Sequence, residues 1–240
     1  HIAYVAYLDA TNRIVPDFRE MRGISISEPG DKASDAWGDA WHTMTFSTAY
    51  NYLGHPPLYY QVMRLSGAIR EIDGNMQINQ FHLRRANILL SSSTLIILFI
   101  SGYLLFNNSI KKNFLFAAIS TSIPMLLYTC AGVNNDNLAF LLISSLVLVL
   151  ILYSNKNTSF WLYFAIGLLI SLAFLTKLTA GLIAGLISLL YFIISYIMYK
   201  NYKIFINWKF LFSCFLLFFP VAYYVYVYSQ VGSFQPSYAV

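Results

Sequence analysis

Long apolar runs separated by short polar segments fill the sequence after Arg85. Most of these runs approach the ~20 residues that a membrane-spanning helix needs. Residues 160–199 are apolar except for "TKLTAG", and one helix of that length would be about twice as long as the hydrocarbon layer is thick. The pattern therefore predicts a hairpin at Lys177 and about six spans: 86–106, 114–133, 138–153, 160–176, 178–199 and 210–229.

The first 85 residues are more polar. "SDAWGDAWHTMTFSTAYNYL" carries tryptophans and tyrosines at spacings that favour helices in the headgroup layer. "GHPPLYYQVMRLSGAI" has Pro56 and Pro57 where a helix can begin, but its apolar stretch is too short to span, which indicates an interfacial or partly inserted helix. We therefore expect an all-α polytopic transmembrane helix bundle, with residues 1–85 as an outer loop carrying interfacial helices and 86–240 as the transmembrane region.

Composition supports a membrane protein. The chain is 58% hydrophobic and 10% charged, whereas soluble domains carry about 25% charged residues. The net charge of +5 comes without a basic stripe interleaved with aromatics, so we expect the lipid bilayer, and no nucleic acid, as a partner. Cys130 and Cys214 each lie in an apolar run, which favours buried thiols over a disulfide or a metal pair.

Charge also predicts the orientation. Lysines cluster in the short loops near residues 111, 156 and 200–209, which the positive-inside rule places in the cytoplasm. Residues 1–85, the "VNND" turn and the Lys177 turn then face outward. These outer segments hold every acidic residue and all four histidines, so any chemistry is expected on the outer face of a multi-pass protein in a cell membrane.

The "VNND" turn, with Asn134, Asn135 and Asp136, is the first candidate site. Its simplest interpretation is a cap for the following helix. One capping residue would suffice, however, and a carboxylate near the membrane surface is costly without a cation or metal partner. The turn is therefore also interpreted as facing a pocket.

Two further outer segments carry candidate chemistry. In "HPPLYY", His55 is either a loop residue that caps a helix or a ligand and proton carrier held rigidly by the prolines, with Tyr59 beside it. Lys177, Arg84 and Arg85 are either cations that snorkel to the headgroups or contacts for a lipid-linked phosphate. No Gly-rich phosphate loop, G-x-S-x-G, CxxC or HExxH occurs, which removes soluble-type nucleotide hydrolysis, serine hydrolases and zincins.

The order of five segments resembles the bacterial polytopic GT-C-type glycosyltransferases, especially the protein-mannosyltransferase-like members. These segments are "HIAYVAYLDATNRIVPD", "HPPLYY", "RRAN", "NNDNLAF" and "FLTKLTAG". The resemblance implies an enzyme that transfers a sugar from a polyprenyl-phosphate donor to an acceptor on the outer face of a bacterial inner membrane.

The resemblance also implies site residues. Members usually carry an acidic pair before a histidine that resembles His1, so the catalytic base is expected upstream and this fragment is expected to be inactive. Asp136 matches the second acidic position, where members often bind a metal or orient the acceptor. Asp136 and His55 are thus the catalytic candidates, and Asn134, Asn135, Tyr59, Lys177, Arg84 and Arg85 the candidate substrate contacts. A divalent metal ion is an open requirement, with Asp136, His55 and His1 as its candidate ligands.

Two other classes explain parts of the pattern. A transporter or flippase of lipid-linked saccharides would line a path with the same charges, but transporters place polar or broken segments near the midplane, and these spans are nearly free of charge inside. A non-catalytic membrane protein would explain the helices but not the clustered polar residues of the outer segments.

Overall fold

The computed structural model describes residues 1–27, 41–50, 54–72, 74–106, 109–122, 129–130, 132–152, 159–200 and 207–234. Before residue 79 the described residues form short helices and strands, and after it they are mainly helical. In order, the elements are α1 (Ile2–Thr11), β1 (Arg22–Ile26), β2 (His42–Tyr50), α2 (Leu58–Arg64), β3 (Ile69–Ile72), β4 (Asn75–Ile78), α3 (Gln80–Leu105), α4 (Ile110–Thr121), α5 (Asp136–Leu152), α6 (Phe160–Thr176), α7 (Leu178–Tyr199), α8 (Trp208–Leu216) and α9 (Phe218–Val231).

Within the described residues, three helical stretches are long and apolar enough to cross a membrane. They are Gln80–Leu105, Leu178–Met198 and Trp208–Val231, the last comprising α8 and α9. The apolar helices α5 and α6 have 17 residues each, slightly less than a perpendicular span needs. The predicted span 114–133 includes residues 123–128 and 131, which lie outside the described residues. The structure is thus a helical membrane protein, and the count of six spans stays a prediction.

A small antiparallel sheet corrects the expectation of an all-α fold. Its strand order is β1-β2-β4-β3, and β2 occupies "HTMTFSTAY", where we expected an interfacial helix. Threonine and aromatic residues favour extended backbone, so the aromatic rings that suggested a headgroup-layer helix belong partly to a strand. Residues 34–40 of the same predicted segment lie outside the described residues.

Helix α2 begins where the prolines predict. Pro57 occupies the N-cap position, and the helix ends after seven residues at Arg64. Tyr59, Tyr60 and Met63 on it are fully buried or nearly so, and the helix packs against α1 and α6. His55, which precedes the prolines, is therefore carried on a firmly packed segment.

The hairpin at Lys177 is confirmed. Helix α6 ends at Thr176, α7 begins at Leu178, and Lys177 between them is extended, with φ −161° and ψ 132°. The rings of Tyr163 and Phe192, nearly equidistant from Lys177 along the chain, stack with centroids 5.7 Å apart. The two helices therefore run antiparallel and bring a lysine to the end of the bundle.

Close helix packing at Gly167 yields a first prediction. A Cβ there would lie 2.6 Å from Ser213 Oγ and 2.7 Å from its backbone oxygen on α8, and small residues allow such close approach in membranes. Gly167→Ala should destabilise the protein by about 1–3 kcal/mol through overpacking. Gly185→Ala, where nothing lies within 4 Å, is the matched control and should be neutral or slightly stabilising. Equal thermal midpoints in detergent for the two variants would contradict this packing.

Cysteine labelling tests the predicted orientation. In a background with Cys130 and Cys214 replaced by serine, Leu65→Cys should react with an impermeant maleimide applied from outside, because Leu65 is 86% exposed before the first candidate span. Lys112→Cys, exposed on α4 after that span, should react only after permeabilisation. The reverse pattern would overturn the assignment of the outer face.

Candidate functional site

An ion pair joins the first turn of α5 to the hairpin. Lys177 Nζ donates to Asp136 Oδ1 at 2.6 Å, and each side chain is 28% exposed. The cation partner expected for the carboxylate is therefore Lys177. Replacing one member of the pair should lower the free energy of unfolding. The loss should lie between the ~1 kcal/mol of an exposed ion pair and the ~3–5 kcal/mol of a buried one.

The two asparagines of the turn form hydrogen bonds with different parts of the structure. Asn134 Oδ1 accepts a hydrogen bond from the backbone N–H of Asp136 at 3.2 Å, so the capping interaction comes from Asn134. Asn135 is 1% exposed, and its Nδ2 donates to the backbone oxygen of Thr176 at 3.4 Å. That oxygen lies in the last turn of α6, where carbonyls lack intrahelical partners. The turn is thereby attached beside Lys177.

The fourth polar residue, Asn137, enters a buried network that the sequence analysis missed. Its Nδ2 donates to Asn87 Oδ1 at 2.8 Å and to the Gly132 oxygen at 3.0 Å, while Ser91 Oγ donates to its Oδ1 at 3.2 Å. Tyr59 Oη donates to the same Asn87 oxygen at 2.9 Å. The available signal was an asparagine inside an apolar run, since a buried amide requires a partner.

His55 lies within electrostatic reach of the ion pair. Its Nδ1 is buried and has no hydrogen-bond partner among the described residues. Burial lowers the pKa of His55 from its usual 6.5, and the positive charge of Lys177 lowers it further, opposed by Asp136. The imidazole is therefore neutral at neutral pH and able to accept a proton. Because Pro57 is the N-cap of α2, His55 does not have the capping role considered above.

Aromatic side chains from α1 and α2 pack around His55. The rings of His1 and His55 are stacked at 5.9 Å, and His1 Nδ1 forms a hydrogen bond of 2.8 Å with the Tyr60 hydroxyl. Tyr4 stacks on Tyr60 at 3.8 Å and donates its hydroxyl to the backbone oxygen of His55 at 3.0 Å. Both tyrosines are fully buried, so the backbone at His55 is held in place.

The remaining candidates lie elsewhere. Tyr59 is fully buried, with its hydroxyl directed into the Asn87 network. Arg84 and Arg85 are exposed near the start of α3, and the Arg85 guanidinium lies 5.5 Å from the centroid of the Phe81 ring. In the described part of the chain, no hydrogen bond or ion pair joins either arginine to the Asp136–Lys177 pair. The structure thus joins Asp136 to Lys177, whose charges also act on His55, and Asn134 and Asn135 shape the turn.

The described residues do not fit a bound metal ion. No three of their His, Cys, Asp and Glu side chains are arranged to hold one. Asp136 Oδ1 is occupied by an ammonium group, and His1 Nδ1 by a tyrosine hydroxyl.

Comparison with known proteins gives a family match. The family model described as dolichyl-phosphate-mannose-protein mannosyltransferase matches residues 54–224, more than half of the 240-residue chain. The match includes His55, Asp136, Lys177 and the Asn87 network. No curated protein and no solved structure is significantly similar.

The lowered pKa of His55 predicts a pH dependence of stability. The unfolded chain binds a proton at pH values between the lowered pKa and 6.5, whereas the folded chain does not. This contribution to stability is complete above pH 6.5 and is lost as the pH falls through that window. The thermal midpoint in detergent should therefore be level above about pH 6.5 and fall as the pH is lowered below that value, and His55→Gln should reduce this fall. An unchanged pH slope in His55→Gln would contradict the burial of a neutral imidazole.

Proposed function

The chain belongs to the dolichyl-phosphate-mannose-protein mannosyltransferase family, and on that basis we propose that it transfers a sugar from a polyprenyl-phosphate donor to an acceptor on the outer face of a bacterial inner membrane. Membership makes it a membrane glycosyltransferase of the GT-C type. The Asp136–Lys177 ion pair at the end of the bundle, within electrostatic reach of a neutral His55, carries the proposal.

The reaction sets two electrostatic requirements. The bond between the sugar C1 and the phosphate oxygen breaks, and a bond from C1 to the acceptor oxygen forms. Negative charge develops on the departing polyprenyl phosphate, and the acceptor hydroxyl loses a proton. A positioned cation and a proton acceptor are therefore the groups that lower the barrier.

The three site residues can meet these requirements. Lys177 is the compact point charge for the departing phosphate. Asp136 holds the lysine ammonium in place. His55 is neutral because of its burial, and its unpaired Nδ1 is suited to take the proton of the acceptor hydroxyl. Asn134 and Asn135 shape the turn, and Arg84 and Arg85 are available to lipid phosphates at the membrane surface.

Charge-altering variants of the full-length protein test these assignments. Asparagine replaces the carboxylate of Asp136 almost isosterically, so Asp136→Asn should insert normally but lose turnover of a polyprenyl-phosphate sugar by ~10²-fold or more. Lys177→Met should show a similar loss. Lys112→Met, on the exposed face of α4, is the matched control and should behave as wild type. Near-normal turnover by Asp136→Asn would overturn the proposal.

Exchanging the two charges separates the contribution of the ion pair to thermal stability from its contribution to turnover. Asp136→Lys combined with Lys177→Asp restores opposite charges across the same contact and should recover part of the thermal midpoint lost in either single variant. Turnover should stay low, because the cation is then on α5. In proteoliposomes, movement of the lipid-linked sugar between leaflets without transfer would instead indicate the transporter alternative.

A further inference from the structure

We propose that the buried network of Tyr59, Asn87, Ser91 and Asn137 positions the two halves of the site, His55 on one side and Asp136 with Lys177 on the other. Asn87 and Asn137 are then positioning residues that act through Asp136. The consequence for transfer rests on the proposed function, whereas the consequence for the ion pair does not.

The side chain of Asn137 is held from both ends. Its amide nitrogen donates to Asn87 and Gly132, its oxygen accepts from Ser91, and the residue has no exposed surface. Asn137 directly follows Asp136 at the start of α5. A rotation of this first turn that moved the carboxylate away from Lys177 would break all three hydrogen bonds, which is costly without water to replace them.

Asp136 is held on its other side by Asn135. The hydrogen bond from Asn135 Nδ2 reaches the backbone oxygen of Thr176, the residue immediately before Lys177. The aspartate thus lies between two buried asparagines, one bonded to α3 and the other to the end of α6. These two attachments fix both the carboxylate and the lysine that it contacts.

Asn87 connects this arrangement to His55. Its Oδ1 accepts from Asn137 on α5 and from Tyr59 on α2, and its Nδ2 donates to the Leu83 oxygen on its own helix at 2.8 Å. Tyr59 is the second residue of α2, and only Leu58 separates it from the two prolines that follow His55. One buried side chain on α3 therefore sets the position of α2 relative to α5, and with it the separation of the imidazole from the ion pair.

A thermal cycle tests the positioning without any activity assay. The drop in thermal midpoint caused by Lys177→Met is measured in the wild-type background and in Asn137→Leu. If the network holds the pair together, the drop in the Asn137→Leu background should be less than half of that in wild type, because the contact is already loosened. The matched background is Ser171→Ala, which removes a different buried hydrogen bond, from Ser171 Oγ to the Leu216 oxygen at 2.7 Å, and should leave the drop unchanged.

Kinetics provide the second measurement. Asn137→Leu in the full-length protein should lower kcat/KM for a polyprenyl-phosphate sugar by about 10- to 100-fold, the range expected for a misplaced catalytic group. Ser171→Ala should keep wild-type kinetics despite a lower thermal midpoint. Tyr59→Phe removes one hydroxyl and preserves the ring, so it should lower kcat/KM by a smaller factor. If Asn137→Leu does not accumulate in the membrane, Tyr59→Phe tests the positioning role in its place.

The outcomes are distinguishable. An equal Lys177→Met drop in both backgrounds overturns the positioning role, as does a kinetic loss in Asn137→Leu or Tyr59→Phe no larger than that in Ser171→Ala. Retained turnover in Asp136→Asn overturns the proposed function, and the thermal cycle then still tests whether the network holds the ion pair.

Discussion

Polar groups that leave water must find partners within the protein, and this constraint organises the helical end that carries the candidate site. Each polar residue from Asn134 to Asn137 meets a different group: a backbone amide, a helix-terminal carbonyl, an ammonium and a buried amide. These contacts join the start of α5 to α3 and to the end of α6. A turn that needs only one cap therefore carries four polar residues, because three of them bond to other elements of the fold.

The family and the geometry contribute different parts of the functional conclusion. The family match covers residues 54–224 and establishes a membrane glycosyltransferase, but it assigns no residue a role. The ion pair and the buried, unpaired nitrogen of His55 supply candidate roles. A lysine held by a carboxylate can bind an anion, and a neutral imidazole can accept a proton.

Local patterns predicted the features that depend on local chemistry. Apolar runs broken at Lys177 predicted the hairpin, and two prolines predicted the start of α2. The isolated carboxylate predicted a cation or metal partner, and the partner found is Lys177. The β3–β4 hairpin also had a local signal, Asp-Gly between two short strand-like runs, and Gly74 there has φ +75°. The hairpin was not predicted, because the run that leads into β3, "GHPPLYYQVMRLSGAI", was interpreted as an interfacial or partly inserted helix.

The Asn87 network could not be deduced in the same way. An asparagine within an apolar helix indicates that a partner exists but does not identify it, and Asn87 and Asn137 are joined only once α3 and α5 have packed. Likewise, the order of apolar runs does not show that Asn135 meets the Thr176 oxygen. Such pairings depend on tertiary contacts between segments far apart in the chain, which hydropathy and spacing leave undetermined.

The single oxygen of Asn87 that serves two donors has a consequence for how these positions can change over time. A substitution that removes the Asn87 amide leaves the Tyr59 hydroxyl and one N–H of the Asn137 amide buried without an acceptor, and each such unpaired donor costs free energy. Evolutionary substitutions at Tyr59, Asn87 and Asn137 are therefore expected to be coupled. Among relatives, a loss at one of them should accompany a compensating change at the others, such as phenylalanine replacing the tyrosine, and paired variation of this kind would mark the network in an alignment.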